Sequence, residues 1–207
     1  IRDRNVTGVQ TCALPIYLVY LPITGGTTGI PKQVMCTHGA ITADLFNALL
    51  SLRISSEDIG LLANPWYWGR FIPWFTTPFF YMGATVILAT KLELEPALKV
   101  VDKERVTITV LPSSFIASVL AYPELDQYDL SSLRAVWLTG APLAPATMKA
   151  AVEKMGKKFS ILYGLTEITN ITHLYPKEMI LEGSPDELKR LRSCGRDAAP
   201  LNVDVRI

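Results

Sequence analysis

Thr24-Gly25-Gly26-Thr27-Thr28-Gly29-Ile30-Pro31-Lys32 follows the apolar run 17–23, and its reading decides how the rest of the chain is understood. Small residues let a main chain approach a polyphosphate closely. Threonine hydroxyls and backbone N–H groups donate to phosphate oxygens, and Lys32 adds a compact positive charge. The stretch is not a Walker A loop, which needs G-x-x-x-x-G-K-[ST] ahead of a helix. Here Pro31 precedes the lysine and Gln33 follows it. The plain alternative is an ordinary flexible loop.

Working outward, short apolar runs alternate with longer amphipathic stretches. Strands are expected at 17–23, 33–37, 59–63, 84–89, 106–111, 133–138, 159–162 and 202–207, those at 59–63 and 84–89 as buried strands. Helices are expected at 39–52, where Ile41, Leu45, Leu49 and Leu52 share one face, and at 94–105, 115–121 and 145–155. Ser113 or Ser114 is placed to cap the third of these. An aromatic segment, helical or irregular, joins the strands at 59–63 and 84–89. The run 182–192 reads as a surface loop with a short helix capped by Ser184 and Pro185. The alternation predicts an α/β protein with mostly parallel β-sheets flanked by helices, its ligands gathered at the carboxyl ends of the strands.

Composition removes several functions. The chain has 207 residues, 49% apolar and 19% charged, which suits a sizeable core and not a disordered segment. Twenty Lys and Arg against nineteen Asp and Glu leave a net charge of +1, without the basic excess that nucleic acid binding requires. Cys12, Cys36 and Cys194 are far apart and, with only His38 and His173 beside them, give neither a disulfide framework nor a metal centre. The uncharged stretch 71–90 is interrupted by Pro73, Pro78 and Gly83, so no transmembrane segment is expected. Without a signal peptide the expected place is cytoplasmic. Residues 1–16 differ in texture: Val9-Gln10-Thr11-Cys12-Ala13-Leu14-Pro15-Ile16 resembles the translation of a sequencing adapter. That stretch is expected to be non-native, against the alternative of a genuine polar arm.

With four blocks in order, the chain resembles the AMP-forming, adenylate-forming enzymes, which include acyl-CoA ligases, luciferases and peptide-synthetase adenylation domains. Thr24, Gly25, Gly26, Thr27, Thr28, Gly29 and Lys32 match their phosphate loop, with Gln33 replacing the usual glycine. Thr139-Gly140-Ala141-Pro142-Leu143 resembles the G-G-A-P-L turn along adenine, and Tyr163-Gly164-Leu165-Thr166-Glu167 matches Y-G-x-T-E. Cys194-Gly195-Arg196 and Val205-Arg206-Ile207 resemble a later block, with Asp197 in place of proline. The resemblance implies ATP and Mg²⁺ as cofactors. Lys32, Thr166 and Glu167 are implied as catalytic, Tyr163 on the adenine, Thr166 on the α-phosphate and Glu167 as the Mg²⁺ ligand. It covers the middle of the family's large N-terminal domain. Residues 17–207 are therefore expected to be a partial adenylation domain, truncated at both ends and inactive alone.

The segment Asn64-Pro65-Trp66-Tyr67-Trp68-Gly69-Arg70-Phe71 occupies the family's P-L-F-H-x-x-G block, making Trp66, Trp68 and Phe71, with Thr139 and Leu165, candidate substrate-pocket residues. For Trp68 the alternative is an indole that simply fills the core. Residues 59–90 contain no Asp or Glu, and an ammonium buried without a partner is costly. The expected partner is a small-molecule carboxylic acid, fatty or aryl, with coenzyme A as the implied acceptor. The alternatives are an amino-acid-activating domain and a non-catalytic nucleotide-binding homologue. Peripheral membrane association suits a fatty acid, although no basic amphipathic helix argues for it.

Overall fold

The computed structural model describes residues 16–24, 29–64, 71–184 and 188–197. Strands β1 (Leu18–Tyr20) and β2 (Cys36–Thr37) form a small antiparallel pair with an irregular register. Helix α1 (His38–Leu52) follows at once. Thr37 caps it, its hydroxyl accepting from the Ala40 N–H at 3.2 Å, and Arg53 ends it in the left-handed region with φ 51°. Leu45, Ala48 and Leu52 recur at helical spacing and are buried.

The remaining strands make one seven-stranded sheet. β3 (Ile59–Leu62), β4 (Thr85–Leu88), β5 (Ile108–Pro112), β6 (Ala135–Thr139) and β7 (Phe159–Tyr163) run parallel in the order β4-β3-β5-β6-β7. β8 (Thr172–Leu174) and β9 (Arg196–Asp197) extend it antiparallel beyond β7. The central strands are apolar almost throughout because both sheet faces are covered. On one face lie α3 (Leu94–Lys103), α4 (Phe115–Leu120) and α5 (Pro145–Met155), with Leu98, Ile116 and Met148 against Leu61, Val136 and Phe159. On the other lie α1, a π-helical turn at Ile72–Thr76 and α2 (Thr77–Met82). Ala48, Trp74, Phe75 and Phe79 meet Leu62, Val110 and Trp137 there. Gly60 faces this side, and a Cβ there would sit 2.6 Å from the Phe79 ring, so the ring packs directly on the backbone of β3.

Several expectations need correction. The strand expected at 84–89 is not buried: β4 pairs only with β3, stands at the sheet edge, and leaves Leu88 48% exposed. Neither serine caps α4, because Ser113 is buried and its N–H and hydroxyl both donate to the Thr139 carbonyl, at 2.9 and 3.3 Å. The run 182–192 is not wholly a solvent loop, since the 3₁₀ turn Lys189–Arg192 buries Leu191 in the core below the sheet. Its expected cap Pro185 lies outside the described residues, as do the strand expected at 202–207 and residues 1–15. β8 and β9 were not anticipated. Among the described residues no helix is long and apolar enough to cross a membrane.

The amino ends of three strands are tied together by Asp58, which is 3% exposed. Its carboxylate accepts from Arg134 Nε and Nη2 at 2.7 and 2.6 Å, from the Thr107 hydroxyl at 2.7 Å and from the Ser55 N–H at 2.8 Å. Asp58, Thr107 and Arg134 immediately precede β3, β5 and β6, so the clamp sets strand register at the end opposite the motif loops.

Candidate active site at the carboxyl edge of the sheet

Parallel strands bring their following loops to one edge, and the motifs 139–143 and 163–167 emerge there after β6 and β7. β5 ends at Pro112, which pairs with Thr139 at the end of β6, and β7 ends at Tyr163. Asn64, just beyond β3, is buried and donates from Nδ2 to the Val110 carbonyl at 3.0 Å, fastening the start of the aromatic segment to β5. Connections leave β3 and β5 toward opposite sides, which makes the crevice between these strands the topological switch point of the sheet.

Thr139 is half-buried, and Gly140, Ala141 and Pro142 form an exposed turn that leads to Pro145, the first residue of α5. Tyr163, the last residue of β7, is 45% exposed. Beyond it the chain doubles back: the Leu165 N–H donates to the Ile168 carbonyl at 2.7 Å and the Ile171 N–H to the Tyr163 carbonyl at 2.8 Å. A Cβ at Gly164 would lie 1.8 Å from the Thr169 carbonyl oxygen, so only glycine admits this close approach. The tight loop holds Thr166 half-buried and Glu167 exposed at the sheet edge. Leu165, expected in the substrate pocket, is 49% exposed.

The glycine-threonine loop springs from the small β1–β2 pair. Its base is pinched where the Thr24 N–H donates to the Lys32 carbonyl at 2.9 Å and the Lys32 N–H to Thr24 Oγ1 at 3.1 Å. That bond uses the threonine oxygen as acceptor. Lys32 and Gly29 are exposed, while Gly25, Gly26, Thr27 and Thr28 lie outside the described residues. Trp66 and Trp68 also lie outside them. Phe71 is half-buried, its ring 6.4 Å from that of Trp74.

Glu167 suits a magnesium ion held partly by nucleotide phosphates, because Mg²⁺ is bound by one or two carboxylates plus phosphate oxygens and not by an all-protein cage. Among the described residues no cluster of three His, Cys, Asp or Glu side chains gathers.

Three buried side chains were overlooked in the sequence. Trp74, Asn170 and His173 are 4%, 2% and 2% exposed. Trp74 Nε1, both amide atoms of Asn170 and both ring nitrogens of His173 have no hydrogen-bond partner among the described residues. Leaving such a group buried and unpaired costs about 1–3 kcal/mol. Burial, and then the nearby Arg196, pull the His173 imidazole down to about 4, which keeps it neutral. The one signal in the sequence was polar residues directly after a motif, since a three-residue strand shows no periodicity.

The family model for AMP-binding enzymes matches residues 9–207. An indoleacetate–CoA ligase of Aromatoleum aromaticum is 32% identical over 80% of this chain and 31% of its own length. A medium/long-chain fatty acid–CoA ligase of Mycobacterium tuberculosis is 30% identical over 88% of this chain and 30% of its own. Among solved structures, an amide bond synthetase from Marinactinospora thermotolerans superposes with a TM-score of 0.75 at 27% identity, covering 86% of this chain and 34% of that one. The chain thus spans about three tenths of the length of the curated relatives it matches. On the motif order, the parallel sheet that carries two of those motifs at one edge and the match over nearly its whole length, the chain belongs to the AMP-binding, adenylate-forming enzyme family.

Proposed function

We propose that the protein activates a small carboxylic acid, fatty or aryl, as an acyl-adenylate and then transfers the acyl group to coenzyme A. The observation that carries this reading is the emergence of two motif loops, 139–143 and 163–167, at the carboxyl edge of the sheet, in a chain whose residues 59–90 contain no Asp or Glu. A carboxylate oxygen of the acid attacks the α-phosphorus of ATP, and the bond from that phosphorus to pyrophosphate breaks. Charge grows on the α-phosphate and on the departing group, so the task is positioning and electrostatic stabilisation. Lys32 and the N–H groups of its loop neutralise the terminal phosphates, the Thr166 hydroxyl donates to the α-phosphate, and Tyr163 stacks on the adenine along 140–142. Glu167 holds Mg²⁺, which when bound screens the phosphate charge. A thiol sulfur then attacks the acyl carbonyl and AMP leaves. A cytoplasmic place with peripheral membrane contact belongs to the same proposal.

Acid-dependent exchange of pyrophosphate into ATP by the full-length gene product tests the reading. Hydrophobic acids should drive it and amino acids should not. Exchange driven by an amino acid alone would favour the amino-acid-activating alternative, and ATP binding without any exchange would favour a non-catalytic homologue. Lys32→Ala and Glu167→Ala should each lower the exchange rate by about 10²-fold or more. Wild-type rates in both would refute the roles given to them.

A further inference from the structure

At the amino edge of the sheet, Lys154 and Lys158 share a cavity of about 260 Å³ with Leu125, Asp126, Leu130 and Met155. The chain order puts them there: Leu130 lies in the loop entering β6, Lys158 immediately precedes β7, and Lys154 and Met155 end α5. Most charges around the cavity are engaged. Asp126 accepts from Lys154 Nζ on both carboxylate oxygens at 2.6 Å, and Asp129 pairs with Arg105, whose guanidinium also donates to Ser131. Lys158 is left over. It is half-buried, and its Nζ donates at 3.1 Å to a neutral acceptor, the Leu130 carbonyl, which also accepts from the Leu133 N–H. An ammonium has three donors, and this one bonds to no carboxylate among the described residues. Burial pushes its amine below the usual 10.5, and the charge of Asp129 opposes that only from a distance.

We propose that this cavity is a second, non-catalytic site for a small monocarboxylate with a short apolar body. The ligand's carboxylate accepts from Lys158 Nζ, and its body packs against Leu125, Leu130 and Met155. One cation without a counter-charge suits one negative charge, and a charge-assisted bond is the strong kind. A phosphate ester, with nearly two charges, needs Lys154 as well, and Asp126 already holds that lysine. The volume falls below the roughly 300–1,000 Å³ of drug-sized pockets, so the ligand has few heavy atoms. The motif loops 139–143 and 163–167 leave the opposite edge of the sheet, and no residue lining the cavity belongs to them. Occupancy here therefore does not depend on acid activation.

Amine-reactive footprinting of the full-length gene product, with each lysine followed by mass spectrometry, tests the site. Benzoate titrated over about 1–30 mM should slow the modification of Lys158 as 1 + [L]/Kd and leave Lys149 unchanged, and its neutral isostere benzamide should protect neither. Asp126→Asn frees Lys154 for the anion and should tighten benzoate by about threefold. Lys154→Met leaves Asp126 to repel the anion and should weaken it by about as much. Both positions are exposed, so neither change threatens the fold. No protection of Lys158 across that range overturns the proposal, and so does equal protection by benzamide. Inorganic phosphate protecting better than benzoate overturns the ligand class. Protection unmoved in both variants overturns the site, since the effect then comes from elsewhere. All of these measurements are made without ATP, so acid activation stands or falls separately.

Discussion

Replacing Asp58 with asparagine should weaken the fold by about 2.5 kcal/mol and leave the chemistry of the folded protein intact. Burial alone would push this carboxyl up. The Arg134 guanidinium, the Ser55 N–H and the Thr107 hydroxyl more than reverse that and hold it at about 2, against an ordinary 3.8. At about 1.4 kcal/mol per pH unit, the depression is worth about 2.5 kcal/mol in favour of the charged form. Asparagine keeps the shape, but its NH₂ group must face one of these donors, and Arg134 loses its buried counter-charge. The sign follows from a folded value below the unfolded one. The contribution is complete above about pH 4 and is lost as pH falls through 2. Urea unfolding at pH 7 reads the loss, and a series from pH 5 to pH 2 should show a shallower acid limb in the variant. Because the clamp lies at the amino ends of β3, β5 and β6, pyrophosphate exchange per folded molecule should stay within about twofold of wild type. A loss under about 0.5 kcal/mol, or an unchanged acid limb, would refute the reasoning. Arg134→Met added to Asp58→Asn should cost less than the sum of the single changes, since the second removes a charge already unpaired.

Two further outcomes follow from particular contacts. Gly164→Ala places a Cβ at 1.8 Å from the Thr169 carbonyl oxygen, so the loop carrying Thr166 and Glu167 must move. Exchange should fall by about tenfold or more with native far-ultraviolet dichroism retained, and an unaltered rate would show that the loop tolerates the shift. His173, pulled from 6.5 to about 4 by burial and then by Arg196, is neutral when folded and charges more readily when unfolded. Its contribution is present above pH 6.5 and declines by about 3 kcal/mol as pH falls toward 4. Urea midpoints measured over that window should drop in the wild type and stay flatter in His173→Phe. Parallel curves would dismiss the histidine as the cause.

Much of this protein was legible one segment at a time. The runs at β5, β6 and β7 are apolar enough to be recognised as strands, and α5 begins at Pro145 and ends at Met155 as its pattern predicts. Motif order and the missing Asp and Glu in 59–90 pointed to the chemistry before any fold was known, because glycine, threonine and charge at fixed spacing constrain what a loop can bind. Partnership between distant segments was not legible. Whether a β-branched run such as β4 stands at the edge, whether Ser113 caps a helix or bonds the Thr139 carbonyl, and that Asp58 meets Arg134 all depend on contacts many residues apart. β8 and β9 are too short to carry a period; β8 exists because β7 offers it an edge to pair with, and β9 because β8 does. The buried Trp74 and His173 look like ordinary aromatic residues in the sequence. Only tertiary packing strips their polar atoms of water, because an unpaired donor acquires its cost when the fold closes over it.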